Sequence, residues 1–117
     1  MLSQKQPVRW IQAGPFLNGW VNFDTARPTG YTKTDEGLVI LRGILVSGTV
    51  NAPAFYLQPE YRPRRAQVLP AISAVAGQYF PATFLVETDG RVIPSYTIGA
   101  GTLLYISLDG LTFATQP

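Results

Sequence analysis

The chemistry open to this chain is set first by the residue types that it lacks. It contains no Cys and no His, so structural zinc, haem and iron–sulfur sites are without their usual thiolate and imidazole ligands. Ser–His and Cys–His nucleophile pairs are excluded for the same reason. Any catalysis would have to rely on carboxylates, Lys or Tyr.

The carboxylates show no pattern of a catalytic pair. Asp35, Asp89 and Asp109 stand in Gly-containing turns, where Asp is favoured because it hydrogen-bonds to nearby backbone. Glu36 shares the loop of Asp35, and the remaining acids are Asp24, Glu60 and Glu87. A glycosidase needs two carboxyl groups about 5–10 Å apart in one cleft, and nothing in the sequence places these acids together. We therefore expect no catalytic residues, no metal site and no cofactor.

Residues suited to binding are better represented. Several Tyr residues lie near Pro or Gly at expected strand ends, and exposed Tyr provides rigid contact area that can stack on sugar rings. Arg62, Arg64 and Arg65 form the densest charged stretch, and their guanidinium groups suit planar phosphate or carboxylate anions. The alternative is a solvated loop anchored by its aromatic residues. The candidate binding residues are Tyr56, Tyr61, Arg62, Arg64, Tyr79 and Tyr96.

Length and charge limit the organisation of the chain and its partners. A chain of 117 residues allows one domain. The net charge is +2 and charged residues make up 14% of the chain, below the roughly 25% of an average soluble domain. The three Arg residues of segment 62–65 are the only basic cluster, which is too little for a nucleic-acid-binding surface.

The sequence predicts no membrane-spanning segment and no secretion signal. No run approaches the roughly 20 apolar residues of a membrane span, and the polar start lacks the apolar centre of a signal peptide. We expect residues 1–8 to be a linker or a connection to a stalk, and residues 9–117 to form one domain. We expect no membrane insertion.

Short β-prone runs separated by turn residues dominate the sequence. Turns at Asp35-Glu36-Gly37, Asp89-Gly90 and Asp109-Gly110 each stand between two such runs and predict hairpins. This pattern predicts an all-β protein, an antiparallel, jelly-roll-like β-sandwich of about eight to ten short strands. Trp20 is expected in the core or in an interface. The Phe residues assigned to the core are Phe16, Phe23, Phe55, Phe84 and Phe113.

The run 38–46 is unusual because both of its faces are apolar. A strand exposed on one side alternates apolar and polar residues, so this strand is expected to be covered on both faces. Since one sandwich has a single core, the simplest second cover is another copy of the chain. Leu41, Arg42 and Ile44 are the residues expected at that contact. The alternative for Arg42 is a position near a sheet edge, where its head reaches water.

Several motifs occur in an order typical of one group of proteins. Residues 17–23 read Leu-Asn-Gly-Trp-Val-Asn-Phe, and 30–35 read Gly-Tyr-Thr-Lys-Thr-Asp, followed by 39–43, Val-Ile-Leu-Arg-Gly. The chain closes with 104–113, Leu-Tyr-Ile-Ser-Leu-Asp-Gly-Leu-Thr-Phe. This ordered set, spanning about residues 10–113, resembles a domain found at the ends of bacteriophage tail fibres and in related minor tail proteins.

The resemblance implies a small β-sandwich head that forms homotrimers at the tip of a fibre or baseplate appendage. Such a head helps to bind the host surface, through an envelope polysaccharide, a teichoic acid or a surface protein, and has no catalytic residues to transfer. It would be made in the host cytoplasm, carried at the virion tail tip and extracellular after release. Residues 58–60 and 78–81 depart from the group's pattern, so the ligand does not carry over.

Two alternatives stay open beside receptor binding. One is a structural module that trimerises or caps the fibre without a ligand of its own. The other is a monomeric carbohydrate-binding module with an exposed aromatic platform.

Overall fold

The computed structural model describes residues 9–75, 77–96 and 105–115. Apart from a single 3-10 turn at Pro59–Tyr61, the regular structure in these ranges is β-strand, and every strand pairing is antiparallel. The strands are β1 Ile11–Gln12, β2 Val21–Asn22, β3 Gly30–Lys33, β4 Leu38–Arg42, β5 Ile44–Val46, β6 Phe55–Tyr56, β7 Gln67–Val75, β8 Gln78–Val86, β9 Arg91–Tyr96, β10 Tyr105–Ser107 and β11 Thr112–Ala114. The expected all-β sandwich is confirmed. The expected linker at residues 1–8 lies outside the described residues.

Two sheets enclose the core. One has four strands in the order β1-β3-β4-β11, and the other has seven in the order β2-β5-β10-β7-β8-β9-β6. Both contribute to one cluster of buried side chains. Trp20, Phe55, Phe84 and Phe113 lie in this core, as expected, and Phe16 packs against it. Phe23 was wrongly assigned to the core, because its side chain is 48% exposed.

The chain changes sheets at Gly43, within the run that the sequence predicted to be one strand. β4 belongs to the four-stranded sheet and β5 to the seven-stranded sheet. Gly43 joins them at φ +115°, and a Cβ there would lie 2.5 Å from the Cα of Thr29. The expectation of a single continuous strand over 38–46 was therefore wrong.

The turn at Asp109-Gly110 makes a second change of sheet beside the first. β10 pairs with β5 and β7, whereas β11 pairs with β4, so this turn does not close the expected hairpin. The Gly43 amide donates to Asp109 Oδ1 at 2.7 Å, and the Leu108 amide donates to the Gly43 carbonyl at 2.8 Å. The two crossings thus brace one corner of the sandwich. The other two expected hairpins, β3–β4 and β8–β9, are confirmed.

The longest hairpin was missed by the sequence analysis. β7 and β8 pair over nine residues each, from Gln67 opposite Val86 to Val75 opposite Gln78. Segment 78–81, one of the two segments that depart from the group's pattern, is therefore part of a strand. Pro70 lies on β7 outside the stretch that pairs with β10, and Pro81 lies on β8 outside the stretch that pairs with β9. Both prolines are tolerated because no neighbouring strand needs the amide hydrogen that they lack.

Tyr31 ties β3 to the segment that precedes the 3-10 turn. Its ring is buried and stacks on Phe55 with 6.3 Å between centroids. Its hydroxyl accepts a hydrogen bond of 3.1 Å from the Gln58 amide. Burial raises the pKa of Tyr31, because the phenolate would lose its hydration in the core.

This burial predicts a loss of stability at alkaline pH. The raised pKa of Tyr31 stabilises the folded state fully below the unfolded-state pKa of about 10. The contribution is lost as the pH rises from there through the folded-state value. Denaturant unfolding between neutral pH and about pH 11 should show this decline, and Tyr31→Phe should flatten it while lowering stability at neutral pH. An equally steep decline in the variant would contradict the assignment.

Candidate functional site

The candidate binding residues do not form one site. Tyr56 and Tyr79 share a face of the seven-stranded sheet but lie near its opposite ends. Tyr56 pairs with Arg91 beside the C-terminal end of β8, whereas Tyr79 is near the N-terminal end of that strand. Since a β-strand rises about 3.3 Å per residue, the two residues lie about 25 Å apart along the sheet. One small ligand cannot contact both.

Tyr61 and Arg62 hold the loop that contains them. The Tyr61 ring lies edge-on to Tyr31, 5.0 Å between centroids, and Lys33 Nζ lies 5.7 Å from its centre. Arg62 Nε donates to the Leu57 carbonyl at 2.9 Å. These contacts favour the anchoring alternative for both residues.

Arg64 and Arg65 are exposed on the same segment, just after the 3-10 turn. Within the part of the chain that the structure describes, neither guanidinium group has a hydrogen-bond or ion-pair partner. Both cations are therefore available to a ligand. Tyr96 is the last residue of β9, and its side chain is not among those that the structure describes.

The different surroundings of Arg62 and Arg64 predict different effects of substitution. Arg62→Ala removes the bond to Leu57 and should lower the free energy of unfolding by about 1–2 kcal/mol. Arg64→Ala should change it by less than about 0.5 kcal/mol. Denaturant midpoints of the two variants measure the difference. Equal midpoints would show that the Arg62 contact does not stabilise the loop.

The outer face of the seven-stranded sheet, the side directed away from the core, is almost without charge. Val68 is 67% exposed and Ile72 is 53% exposed, although a sheet face in contact with water usually carries polar side chains. Among the described strand residues, Arg91 is the one charged side chain on this face. The apolar and aromatic side chains there are those of Val21, Ile44, Val46, Tyr56, Val68, Pro70, Ile72, Ala74, Tyr79, Pro81, Leu85, Ile93 and Tyr105.

An aromatic row crosses this outer face, formed by Phe23, Tyr105 and Tyr79. Tyr105 and Tyr79 are both in register with Ala74, one from each side. The Phe23 ring lies 5.2 Å from that of Tyr105. The neighbouring Tyr79 hydroxyl raises the pKa of Tyr105, the effect expected when the neutral phenol is the form that hydrogen-bonds. Tyr79 is 70% exposed, so the row presents aromatic surface to the solvent.

The residues expected at a contact between copies are separated by the change of sheet. Leu41 is fully buried in the core of the single chain, so its assignment to a contact between copies was wrong. The periodicity of the run identified two apolar faces but could not show which of them was the core face. Arg42 is exposed, with its guanidinium carbon 3.9 Å from the centre of the Trp10 ring. Ile44 is half-buried on the outer face.

Comparison with solved structures places this architecture among known folds. The fold resembles that of a phage receptor binding protein. The structure superimposes on the crystal structure of the receptor binding protein gp15 of Listeria phage PSA with a TM-score of 0.74 and 19% sequence identity. The match covers 95% of this chain and 67% of gp15. Both sheets therefore belong to the shared fold, and a third of gp15 has no counterpart here.

No protein-family model matches this sequence, and neither does any curated protein sequence. At 19% identity the likeness to gp15 concerns the fold. Among the described residues, no helix is both long and apolar enough to cross a bilayer.

Proposed function

We propose that this chain is a non-catalytic receptor-binding domain at the tip of a phage tail fibre or baseplate, and that it works as a homotrimer. The observation that carries this proposal is the likeness to gp15 over 95% of the chain, since gp15 is named as a receptor binding protein. The ordered sequence motifs, which resemble a domain at the ends of phage tail fibres, support the same proposal. The activity is adsorption to the bacterial surface, from a virion component.

The uncharged outer face supports association of copies. Burying an apolar side chain contributes roughly 1.5–3 kcal/mol when it is fully exposed beforehand, and about half of that for the half-exposed residues here. Five or six such side chains per copy would offset much of the entropic cost of association. A further copy presents the same uncharged surface, whereas a highly charged partner would lose hydration without gaining ion pairs.

The receptor contact is proposed on the segment 56–65, at the end of the seven-stranded sheet opposite the aromatic row. Tyr56 and Arg64 are exposed there, while Tyr61 and Arg62 fix the backbone that carries them. A rigid segment with an exposed aromatic ring and free guanidinium groups suits a surface polymer that bears both sugars and anions. Tyr79 belongs instead to the proposed contact between copies. The ligand classes are an envelope polysaccharide, a teichoic acid and a surface protein.

Binding of the fluorescently labelled chain to purified bacterial cell walls tests the function. Walls of Listeria, the genus named with the gp15 phage, and of unrelated genera serve as probes. We expect saturable binding to a restricted set of walls. Tyr56→Ala and Arg64→Ala should each weaken this binding without changing the molar mass of the protein in solution, and so without changing its oligomeric state. Glu36→Ala, an exposed residue in the β3–β4 turn and away from both the segment and the outer face, serves as the control. A trimer that binds no wall would favour the capping module, and a monomer that binds sugars would favour the carbohydrate-binding module.

A further inference from the structure

A pocket of about 280 Å³ lies at the corner where the chain changes sheets. Its volume is just below the roughly 300–1,000 Å³ of pockets that hold drug-sized ligands, so it suits a single ring. Gly43, Ile44 and Pro28 are among the residues that line it, and Ile44 and Pro28 supply apolar surface. Asp24, Arg27, Arg42 and Asp109 supply the charged groups.

Two of these charged groups already neutralise each other. Asp24 accepts from Arg27 Nε at 3.0 Å and from the Ala26 amide at 2.9 Å. The Arg27 side chain, together with that amide, holds the pKa of Asp24 below its usual range, so Asp24 is ionised at neutral pH. This pair shapes one wall and adds no net charge to the pocket.

The other two charged groups have hydrogen-bonding capacity to spare. Asp109 uses Oδ1 to accept from the Gly43 amide, and its Oδ2 has no partner within ranges 9–75, 77–96 and 105–115. Arg42 stacks on Trp10, and no acceptor among the same residues engages its N–H groups. Asp109 and Arg42 both line the pocket, and each has polar atoms without a partner among these residues. Thr29 Oγ1, buried beside Gly43, also lacks a partner within these ranges.

We propose that this corner pocket binds one neutral sugar ring, with Asp109 Oδ2 accepting from its hydroxyl groups and Arg42 donating to them. A hydroxyl group both donates and accepts, so a ring with several hydroxyl groups can use both a carboxylate and a guanidinium group. Asp24 and Arg27 neutralise each other, and Asp109 and Arg42 carry opposite charges, so the lining has no net charge and favours a neutral ring over an anion. The C–H surface of the ring would pack on Pro28 and Ile44. The source of the ring, a bacterial surface glycan, rests on the proposed function.

Protein NMR on the full ¹⁵N-labelled chain tests the pocket. The probes are methyl glycosides of glucose, galactose, mannose, N-acetylglucosamine and rhamnose, with glycerol 3-phosphate as the anionic comparison. We expect saturable amide shifts centred on Gly43, Ile44 and Asp109. Asp109→Asn keeps an oxygen for the Gly43 amide but replaces the free acceptor by a donor, and should weaken binding about tenfold or more.

Two further variants keep the test decisive. Arg42→Gln removes the donor fork and should also weaken binding about tenfold. Asp89→Asn removes the same charge from a turn outside the pocket and should leave binding unchanged. Glycosides at up to about 100 mM would saturate a site with a Kd of about 1 mM roughly a hundredfold over. The proposal is overturned if no glycoside gives saturable amide shifts in that range. Shifts confined to other residues, unaltered binding by both pocket variants, or binding of glycerol 3-phosphate alone would also overturn it.

Cell-wall binding separates this proposal from the proposed function. If Asp109→Asn binds walls as the unsubstituted chain does, the pocket makes no contribution to wall binding, while the proposed receptor contact on segment 56–65 stands. If glycosides bind in the pocket but no wall is bound, the sugar pocket stands and the proposed function fails.

Discussion

Gly43→Ala is expected to leave little folded protein under conditions in which Gly110→Ala remains folded. Gly43 adopts φ +115°, a backbone conformation that residues with a Cβ rarely adopt. Its added methyl group would also lie 2.5 Å from both the Cα and the Oγ1 of Thr29. Thr29 cannot easily retreat, because its carbonyl accepts from Ala13 and its amide donates to Asn22 Oδ1. The cost should exceed about 4 kcal/mol, out of a total stability of about 5–15 kcal/mol.

Gly110 provides the matched control for this prediction. It also has a positive φ, +81°, and lies at the same corner, but a Cβ there meets nothing within 4 Å. Gly110→Ala should therefore cost about 1–2 kcal/mol, the backbone strain alone. Circular dichroism and denaturant midpoints measure both variants. Similar costs would mean that Thr29 moves aside and that the corner is not tightly packed.

Ile72→Lys is expected to convert a trimer into a folded monomer. Ile72 lies on β7 in the middle of the outer face, between Ser107 on one side and Pro81 on the other, and is 53% exposed. Its exposure in the single chain means that Lys there costs the fold little. A charge placed in an apolar contact between copies has no partner and strongly opposes association. Light scattering coupled to size-exclusion chromatography should show a fall from about three times 12.8 kDa to 12.8 kDa.

Leu38→Lys tests whether the effect belongs to this face. Leu38 is similarly exposed, at 40%, but it lies on the four-stranded sheet. We expect this variant to remain a trimer. An unsubstituted chain that is already a monomer, or a trimer that Leu38→Lys disrupts and Ile72→Lys does not, would exclude the outer face as the contact.

Local sequence patterns predicted the local pairings of this fold. The Asp35-Glu36-Gly37 and Asp89-Gly90 turns close the expected hairpins, because residues suited to tight turns stand between adjacent strands. The Asp109-Gly110 turn has the same composition but joins strands of different sheets. Turn chemistry fixes the local direction of the chain, and the choice of partner strand depends on contacts distant in sequence.

The candidate site was harder to predict for the same reason. Phe23 and Tyr105 join Tyr79 in the aromatic row only because β10 lies between β5 and β7. Phe23 was expected in the core because it is apolar, but the type of a residue does not show on which face of a sheet its side chain lies. The corner pocket combines residues 24–28, 42–44 and 109, and no local motif connects these segments. The charge-poor composition agrees with the nearly uncharged outer face, but composition alone could not locate that face.

The pairing of β11 with β4 has a consequence for how quickly the protein folds. Residue 112 lies opposite residue 40, so the four-stranded sheet is incomplete until almost all of the described chain is available. Long-range pairings of this kind slow folding, and we expect refolding on the millisecond-to-second scale typical of β-sandwiches. The local β7–β8 hairpin can form first, with Val68 and Ile72 already exposed on it. Partly folded chains would therefore present apolar strands before the sandwich closes, and protein concentration during synthesis should decide between assembly and aggregation.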